Sequence, residues 1–187
     1  MPTLMELLTL NENYASKSGR GIGTDKEYNH NYITSFYEEH FKCYQDQAIN
    51  LLEIGTGHGG SLILWNDYFP SGNIYGVDVN DYVNPIIDSY PRIKRFHGNG
   101  YDKAFADSLP GFDIVIDDGP HTLDSFIQCV DIFLPKVKKG GMLVIEDIPE
   151  IEHTEVLKNK IGTLPYKVVD TREQYGRFDN IMFIVFK

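Results

Sequence analysis

Two acidic segments carry the side chains best suited to chemistry. Asp118 follows one apolar run of the sequence, and Glu146 and Asp147 follow another. If these runs are neighbouring strands of one sheet, their ends lie about 5 Å apart. Asp118, Glu146 and Asp147 would then converge, and three carboxylates stay ionised together only beside a cation. Hard oxygen ligands of this kind suit Mg²⁺ or Mn²⁺ better than zinc.

His121 stands three residues after Asp118 and is the predicted general base. An unperturbed imidazole titrates near ~6.5, so a neutral His121 could take a proton from a hydroxyl held beside the cation. Two simpler explanations remain open, namely an acid that caps the next helix and a histidine bonded to backbone at a helix start. Three acids and a histidine together favour a site.

A glycine turn forms the second candidate site. Residues 50–60 run from an apolar strand pattern through Glu53 into four glycines, and such a turn lets backbone N–H groups approach a nucleotide-like cofactor. Asp78 ends the next strand pattern about 20 residues on, where it would accept hydrogen bonds from a ribose diol. The predicted cofactor contacts are Glu53, Gly55, Thr56, Gly57, Gly60, Asp78, Asn99 and Asp117.

The glycine turn also satisfies the GxGxxG pattern, so an NAD-dependent oxidoreductase stays open. Glu53 favours S-adenosylmethionine instead, since an acid before the first glycine can accept hydrogen bonds from the amino-acid end of that cofactor or hold the loop. Asn99 follows the third strand pattern and could lie beside an adenine, although a plain turn explains it equally well.

Strand and helix patterns alternate from residue 48 onward, which predicts a parallel sheet with helices on both faces. The predicted strands are residues 49–54, 73–77, 93–96, 112–116 and 142–145, and the predicted helices are residues 28–41, 61–68, 83–89, 101–109 and 123–137. The runs 166–169 and 181–186 leave no room for a crossover helix and should pair antiparallel. We therefore predict an α/β, Rossmann-like class I methyltransferase fold, with a mostly parallel sheet closed by one antiparallel C-terminal strand.

The 187 residues suit one domain, with residues 1–47 as an N-terminal helical lid segment and residues 48–187 as the Rossmann-like core. Tyr14, Lys26, His30 and Tyr32 could form the lid over the cofactor, or simply pack. The loop at residues 170–180 should emerge at the carboxyl edge of the sheet and is a candidate substrate loop, whose Arg172 and Arg177 could meet phosphates of a nucleotide-linked sugar.

The formal charge of −10 disfavours nucleic acid or an anionic membrane as a partner and leaves a small molecule. Cys43 and Cys129 lie far apart, which suggests neither a disulfide framework nor a zinc site. No apolar run approaches the ~18 residues of a membrane span, and the start does not resemble a signal peptide. A cytoplasmic location is expected, and a homo-oligomer is compatible with the sequence.

Several stretches taken together resemble one family. They are residues 23–26 with His30, residues 32–41, residues 52–62, residues 117–121, residues 145–147 and residues 177–180. The chain resembles metal-dependent O-methyltransferases acting on sugar hydroxyls, such as those that methylate deoxysugars of macrolide and tetracenomycin antibiotics. Two departures are the expected lack of an extra amino-terminal domain and Asn99 in place of an aspartate.

The resemblance implies that Asp118, Glu146 and Asp147 bind Mg²⁺ and that His121 is the general base. It also implies S-adenosyl-L-methionine as the methyl donor and a hydroxyl of a sugar or sugar-bearing molecule as the acceptor. A catechol-type O-methyltransferase is the nearest alternative, because it too uses a cation held by carboxylates to bind adjacent hydroxyls.

Overall fold

The computed structural model describes residues 1–10, 23–81 and 83–187, and its strands form one seven-stranded sheet in the order β3-β2-β1-β4-β5-β7-β6. The strands are β1 (Asn50–Ile54), β2 (Asn73–Asp78), β3 (Ile93–His97), β4 (Phe112–Asp117), β5 (Val137–Ile145), β6 (Tyr166–Asp170) and β7 (Ile181–Phe186). The first five pair in parallel, and β7 pairs antiparallel with both β5 and β6.

The predicted fold class is confirmed, including the antiparallel pairing of the last two strands. One detail differs from the expectation of a closing strand, because β7 lies inside the sheet and β6 forms the edge. β7 is apolar at all six positions and five of them are buried, whereas β6 is half-exposed. The more apolar strand therefore occupies the interior position, as burial on both faces requires.

The helices agree with the sequence pattern only in part. They are α1 (Leu4–Leu10), α2 (Glu38–Phe41), α3 (Gly60–Tyr68), α4 (Lys103–Ser108), α5 (Leu123–Phe133), α6 (Ile151–Ile161) and α7 (Arg172–Tyr175). The predicted helix at 28–41 is broken, since Asn31 has a left-handed φ of 58° and a π-helical turn at Ile33–Tyr37 precedes α2. The predicted helix at 83–89 is only a 3₁₀ turn, Pro85–Ser89. The sequence analysis missed α6.

Alternate residues of each central strand pack into cores on opposite faces of the sheet. One core joins Leu51 and Ile116 to α1, α3 and the aromatic residues of 32–44. The other joins Leu52 and Val115 to α4, α5 and α6. The aromatic residues of 32–44 are thus buried against the sheet. Their burial holds the preceding residues, 23–31, near the carboxyl ends of the strands. Within the described ranges, no helix combines the length and apolar character that crossing a membrane requires.

Candidate active site

The carboxyl ends of β1, β4 and β5 lie side by side and carry most of the candidate residues. Ile54 is aligned with Asp117, and Asp117 is aligned with Ile145. The residues after these positions remain joined by backbone hydrogen bonds, with the Asp118 N–H donating to the Ile54 carbonyl at 2.8 Å. A cavity of about 980 Å³ opens at this edge, within the size range of small-molecule sites.

The glycine turn forms one wall of the cavity. Gly55 has a φ of +81°, and a Cβ there would lie 1.8 Å from the backbone carbonyl oxygen of Asp118, so only glycine fits. The N–H groups of Thr56 and Gly57 each donate to Asp78 Oδ2 at 2.9 Å. Asp78, Thr56, Gly57 and Gly60 all line the cavity. Through its two hydrogen bonds Asp78 also fixes the conformation of the turn.

Glu53 lies beneath this turn. Its carboxylate accepts hydrogen bonds from Ser61 Oγ and Trp65 Nε1, both at 2.8 Å, and it borders the cavity. Burial raises the pKa of Glu53 although the nearby Lys26 ammonium opposes that shift. Of the two roles weighed for Glu53, holding the loop is therefore visible in the structure, because its bonds tie β1 to α3.

Asn99 and Asp117 occupy different places with respect to the cavity. Asn99 borders it, and its side chain accepts a hydrogen bond from the Tyr101 N–H at 3.0 Å. Asp117 is not among the cavity-lining residues, and its carboxyl is buried against the Tyr101 hydroxyl. Burial raises the pKa of Asp117 to about 7. Asp117 therefore supports Tyr101 from behind the wall, and its direct contact with a cofactor stays a prediction.

The opposite wall brings together Asp118, His121 and Asp147. One ligand atom of each lies within 4.8 Å of the other two. His121 Nε2 is 3.2 Å from Asp118 Oδ1 and 3.8 Å from Asp147 Oδ2. Burial lowers the pKa of His121, but the hydrogen bond with Asp118 and the surrounding acids outweigh burial and raise it. Two carboxylates and an imidazole thus face the cavity together.

Glu146 differs from the predicted arrangement. It is buried, does not line the cavity, and its two oxygens contact the Lys26 ammonium and the Tyr37 hydroxyl. Adjacent residues after a strand point to opposite sides, and Asp147, with a left-handed φ of 54°, turns toward the cavity while Glu146 faces the aromatic core. The structure thus brings Asp118 and Asp147 together at the cavity, and the predicted cation site of Asp118, Glu146 and Asp147 stays a prediction.

Asp147 is held by the N-terminal segment. Tyr32 OH donates to Asp147 Oδ1 at 2.7 Å, and His30 Nδ1 lies 3.1 Å from the same oxygen. Asn31, between these two residues, has a φ of 58°. Left-handed backbone at non-glycine residues is costly, and among the described residues it occurs at Asn31, His121 and Asp147. Asn31 lies between the two residues that contact the Asp147 carboxylate, and His121 lies 3.8 Å from that carboxylate.

The sequence did not indicate that Lys26 would be buried beside the acid cluster. It was assigned with His30 and Tyr32 to a lid over the cofactor, yet its ammonium is buried among acids, 2.9 Å from Asp118 Oδ2. Burial lowers the pKa of Lys26, but Asp118 and Glu146 outweigh burial and hold it well above the usual value. Tyr14 lies outside the described residues, and the lid role of residues 1–47 stays a prediction.

The predicted substrate loop at 170–180 does reach the cavity. Arg177 and Asp179 line it, and their side chains pair with each other at 3.1 Å. Arg172 pairs with Asp170 at 2.7 Å. Both guanidinium groups thus already have carboxylate partners, so the structure gives no support to a phosphate contact by either.

Comparison with known proteins identifies the family. A family model described as a methyltransferase domain matches residues 52–148, just over half of the chain, and covers the glycine turn and the acid cluster. The chain belongs to this family. The match agrees with the resemblance inferred from the motifs and disfavours the nicotinamide alternative.

Several curated relatives are named as O-methyltransferases. The chain is 38% identical over 128 residues to mycinamicin VI 2''-O-methyltransferase of Micromonospora griseorubida, covering 63% of this chain and 31% of that protein. It is 36% identical over 137 residues to 8-demethyl-8-alpha-L-rhamnosyl tetracenomycin-C 2'-O-methyltransferase of Streptomyces olivaceus, covering 67% of this chain and 35% of that protein. The chain thus spans about a third of the length of these relatives.

A solved structure matches the whole chain. It is the MycE methyltransferase from the mycinamycin biosynthetic pathway, in complex with Mg, SAH (S-adenosylhomocysteine) and mycinamycin VI, at a TM-score of 0.71 and 28% identity. The match covers 100% of this chain and 54% of that one. Fibrillarin from Aeropyrum pernix, with natively bound S-adenosyl-L-methionine, shares the fold at a TM-score of 0.58 and 17% identity over 76% of this chain and 68% of its own.

Proposed function

We propose that this protein is an S-adenosylmethionine-dependent, Mg²⁺-assisted O-methyltransferase that acts on a hydroxyl of a sugar or sugar-bearing molecule. The observation that carries this proposal is a single cavity with the glycine turn and Asp78 on one wall and Asp118, His121 and Asp147 on the other. Methyl transfer requires a donor and an acceptor in line, and one cavity that serves both meets that requirement.

The residues present fit both cofactors. Gly55 packs directly against the Asp118 backbone, whereas a Cβ at Gly57 would meet no atom within 4 Å, so the turn has open space beside Gly57 for a nucleotide-like ligand. Seven of the predicted cofactor contacts line the cavity, namely Glu53, Gly55, Thr56, Gly57, Gly60, Asp78 and Asn99, and Asp117 lies behind its wall. Asp118 and Asp147 offer the hard oxygen ligands that Mg²⁺ and Mn²⁺ prefer, within reach of one another.

The reaction needs little covalent work from the protein. A bound divalent cation would lower the pKa of an acceptor hydroxyl. The His121 imidazole takes the hydroxyl proton, and the acceptor oxygen attacks the methyl carbon of S-adenosylmethionine. The new O–C bond forms as the S–C bond breaks, so the methyl group ends on the acceptor and S-adenosylhomocysteine leaves. Tyr32 and His30 hold Asp147 in place during this step, and the glycine turn with Asp78 orients the donor.

The acceptor class rests on the relatives together with this site. Relatives at 32–38% identity are named as O-methyltransferases of mycinamicin VI, a rhamnosyl tetracenomycin and an olivosyl-oleandolide. The family match at residues 52–148 contains the acid cluster. A small-molecule partner in the cytoplasm fits the acidic charge of the chain. Catechol methylation is the alternative outcome to be measured.

Removal of divalent cations should abolish turnover. With excess EDTA we expect methyl transfer from S-adenosylmethionine to an L-rhamnoside to fall to the background rate, because the acceptor hydroxyl is then a poor nucleophile. Added Mg²⁺ or Mn²⁺ should restore the rate, measured by mass spectrometry of the methylated product.

The control is the affinity for S-adenosylhomocysteine, which should be the same with and without EDTA because the glycine turn lies on the other wall of the cavity. Parallel assays with catechol as the acceptor separate the two substrate classes. Undiminished turnover in excess chelator would contradict the role of the cation, and methylation of catechol alone would contradict the sugar acceptor.

A further inference from the structure

A buried ammonium lies behind the cavity surface, where it contacts carboxylates that belong to both walls of the cavity. The Lys26 side chain is 2% exposed, and its Nζ is 2.9 Å from Asp118 Oδ2 and 3.3 Å from Glu53 Oε1, and also contacts Glu146 Oε2. An ammonium has three protons to donate, and here three carboxylates surround it. Lysine is seldom buried so completely, so this arrangement needs a reason beyond solubility or packing.

The three carboxylates belong to different parts of the site. Glu53 lies in β1 just before the glycine turn, and its carboxylate holds α3 through hydrogen bonds from Ser61 and Trp65. Asp118 follows β4, and its second oxygen faces His121. Glu146 follows β5. One ammonium therefore connects the cofactor wall to the acid cluster.

Without this ammonium the two walls would repel each other. Buried carboxylates this close repel each other strongly when no cation lies between them, so the side chains would move apart. Asp118 would then lose the contact that fixes one of its oxygens, and Glu53 would lose an ionic partner beneath the glycine turn. The affinities for the methyl donor and for the divalent cation should therefore both fall.

We propose that Lys26 is a positioning residue that holds the cofactor wall and the acid cluster in one arrangement, so that binding of the methyl donor and of the divalent cation both depend on it. This inference rests on the proposed function. Lys26 does not line the cavity, so it acts through Glu53 and Asp118 and not by touching either ligand.

Tyr32 provides a comparison from the same segment. Its hydroxyl donates to Asp147 at 2.7 Å and lies 3.5 Å from the Asp179 carbonyl oxygen, on the acid-cluster side of the cavity. Tyr32→Phe should therefore weaken cation binding alone. Lys103 is 79% exposed and pairs with Asp107, so Lys103→Met is the matched control for loss of a lysine charge.

The test is calorimetry with S-adenosylhomocysteine alone and with Mn²⁺ alone, on folded protein verified by circular dichroism. Lys26→Met should weaken each affinity by about tenfold or more, the lower end of the effects seen for residues that support metal ligands. Tyr32→Phe should weaken Mn²⁺ binding only, and Lys103→Met should change neither. Partial unfolding would lower the number of sites per chain without changing the dissociation constants. The measured stoichiometry therefore distinguishes loss of folded protein from loss of a positioning residue.

If Lys26→Met does not fold, Glu146→Gln is compared with Lys26→Met/Glu146→Gln, which removes the ammonium together with one carboxylate. The same joint loss of affinity is expected between these two proteins. The inference would be overturned by wild-type affinities in the lysine variant or by weaker binding of only one of the two probes. Failure of the double variant to fold would overturn it as well. A wild-type protein that binds neither probe would instead overturn the proposed function, and this inference with it.

Discussion

Replacement of His121 by alanine should lower kcat for methyl transfer by about 10²- to 10⁴-fold, the usual contribution of a general base. The reason is geometric, because His121 is the imidazole that stands with Asp118 and Asp147 on the cavity wall opposite the glycine turn. The affinity for S-adenosylhomocysteine should stay unchanged. Initial rates under saturating donor, together with calorimetry, measure the two quantities.

His153→Ala is the matched control, since this histidine lies on α6 and does not line the cavity. Its rate should equal that of the wild type. Mn²⁺ affinity of His121→Ala tests the assigned role directly, because a base can be removed without loss of the cation whereas a ligand cannot. A rate within tenfold of wild type, or loss of Mn²⁺ binding together with activity, would contradict the role of base.

Gly55→Ala should destabilise the fold by about 3 kcal/mol or more and abolish cofactor binding. The new Cβ would lie 1.8 Å from the Asp118 carbonyl oxygen, so the glycine turn and the end of β4 must separate. The left-handed φ of +81° adds about 1–2 kcal/mol for any residue with a side chain. Urea unfolding and calorimetry with S-adenosylhomocysteine measure the two losses.

Gly57→Ala separates the steric effect from the backbone effect. Gly57 has a φ of +48° in the same turn, yet a Cβ there meets no atom within 4 Å. This variant should lose only about 1–2 kcal/mol from its backbone conformation. Equal destabilisation of the two variants would show that the contact with Asp118 has no energetic weight in solution.

The sheet was predictable because its central strands, such as β1, β4 and β7, are short apolar runs buried on both faces. Each predicted strand from 49–54 to 142–145 overlaps an observed strand, and the two final runs pair as their short connection requires. The proximity of Asp118 and Asp147 follows from the same logic, since neighbouring parallel strands end at one edge. Local pattern and chain geometry were sufficient for these features.

The remaining site features depend on contacts that no local pattern encodes. Lys26 and Asp118 are 92 residues apart in the chain, and a lysine among glycines gives no sign that its ammonium will be buried. The opposite orientations of Glu146 and Asp147 depend on a left-handed backbone at an aspartate, which spacing alone does not predict. The resemblance identified these residues as important without indicating that Glu146 would pair with Lys26.

The interior position of β7 constrains when the site can form during synthesis. β5 and β6 leave the ribosome before β7, yet β5 is paired on one side only, with β4, and β6 has no neighbour in the sheet until β7 inserts between them. Asn180, directly before β7, bonds His30 at 2.8 Å, and the Ile148 N–H donates to the Ile181 carbonyl at 3.0 Å. Since domains fold as units during translation, the nascent chain must wait for residues 180–186 before Asp147 can settle into its final surroundings.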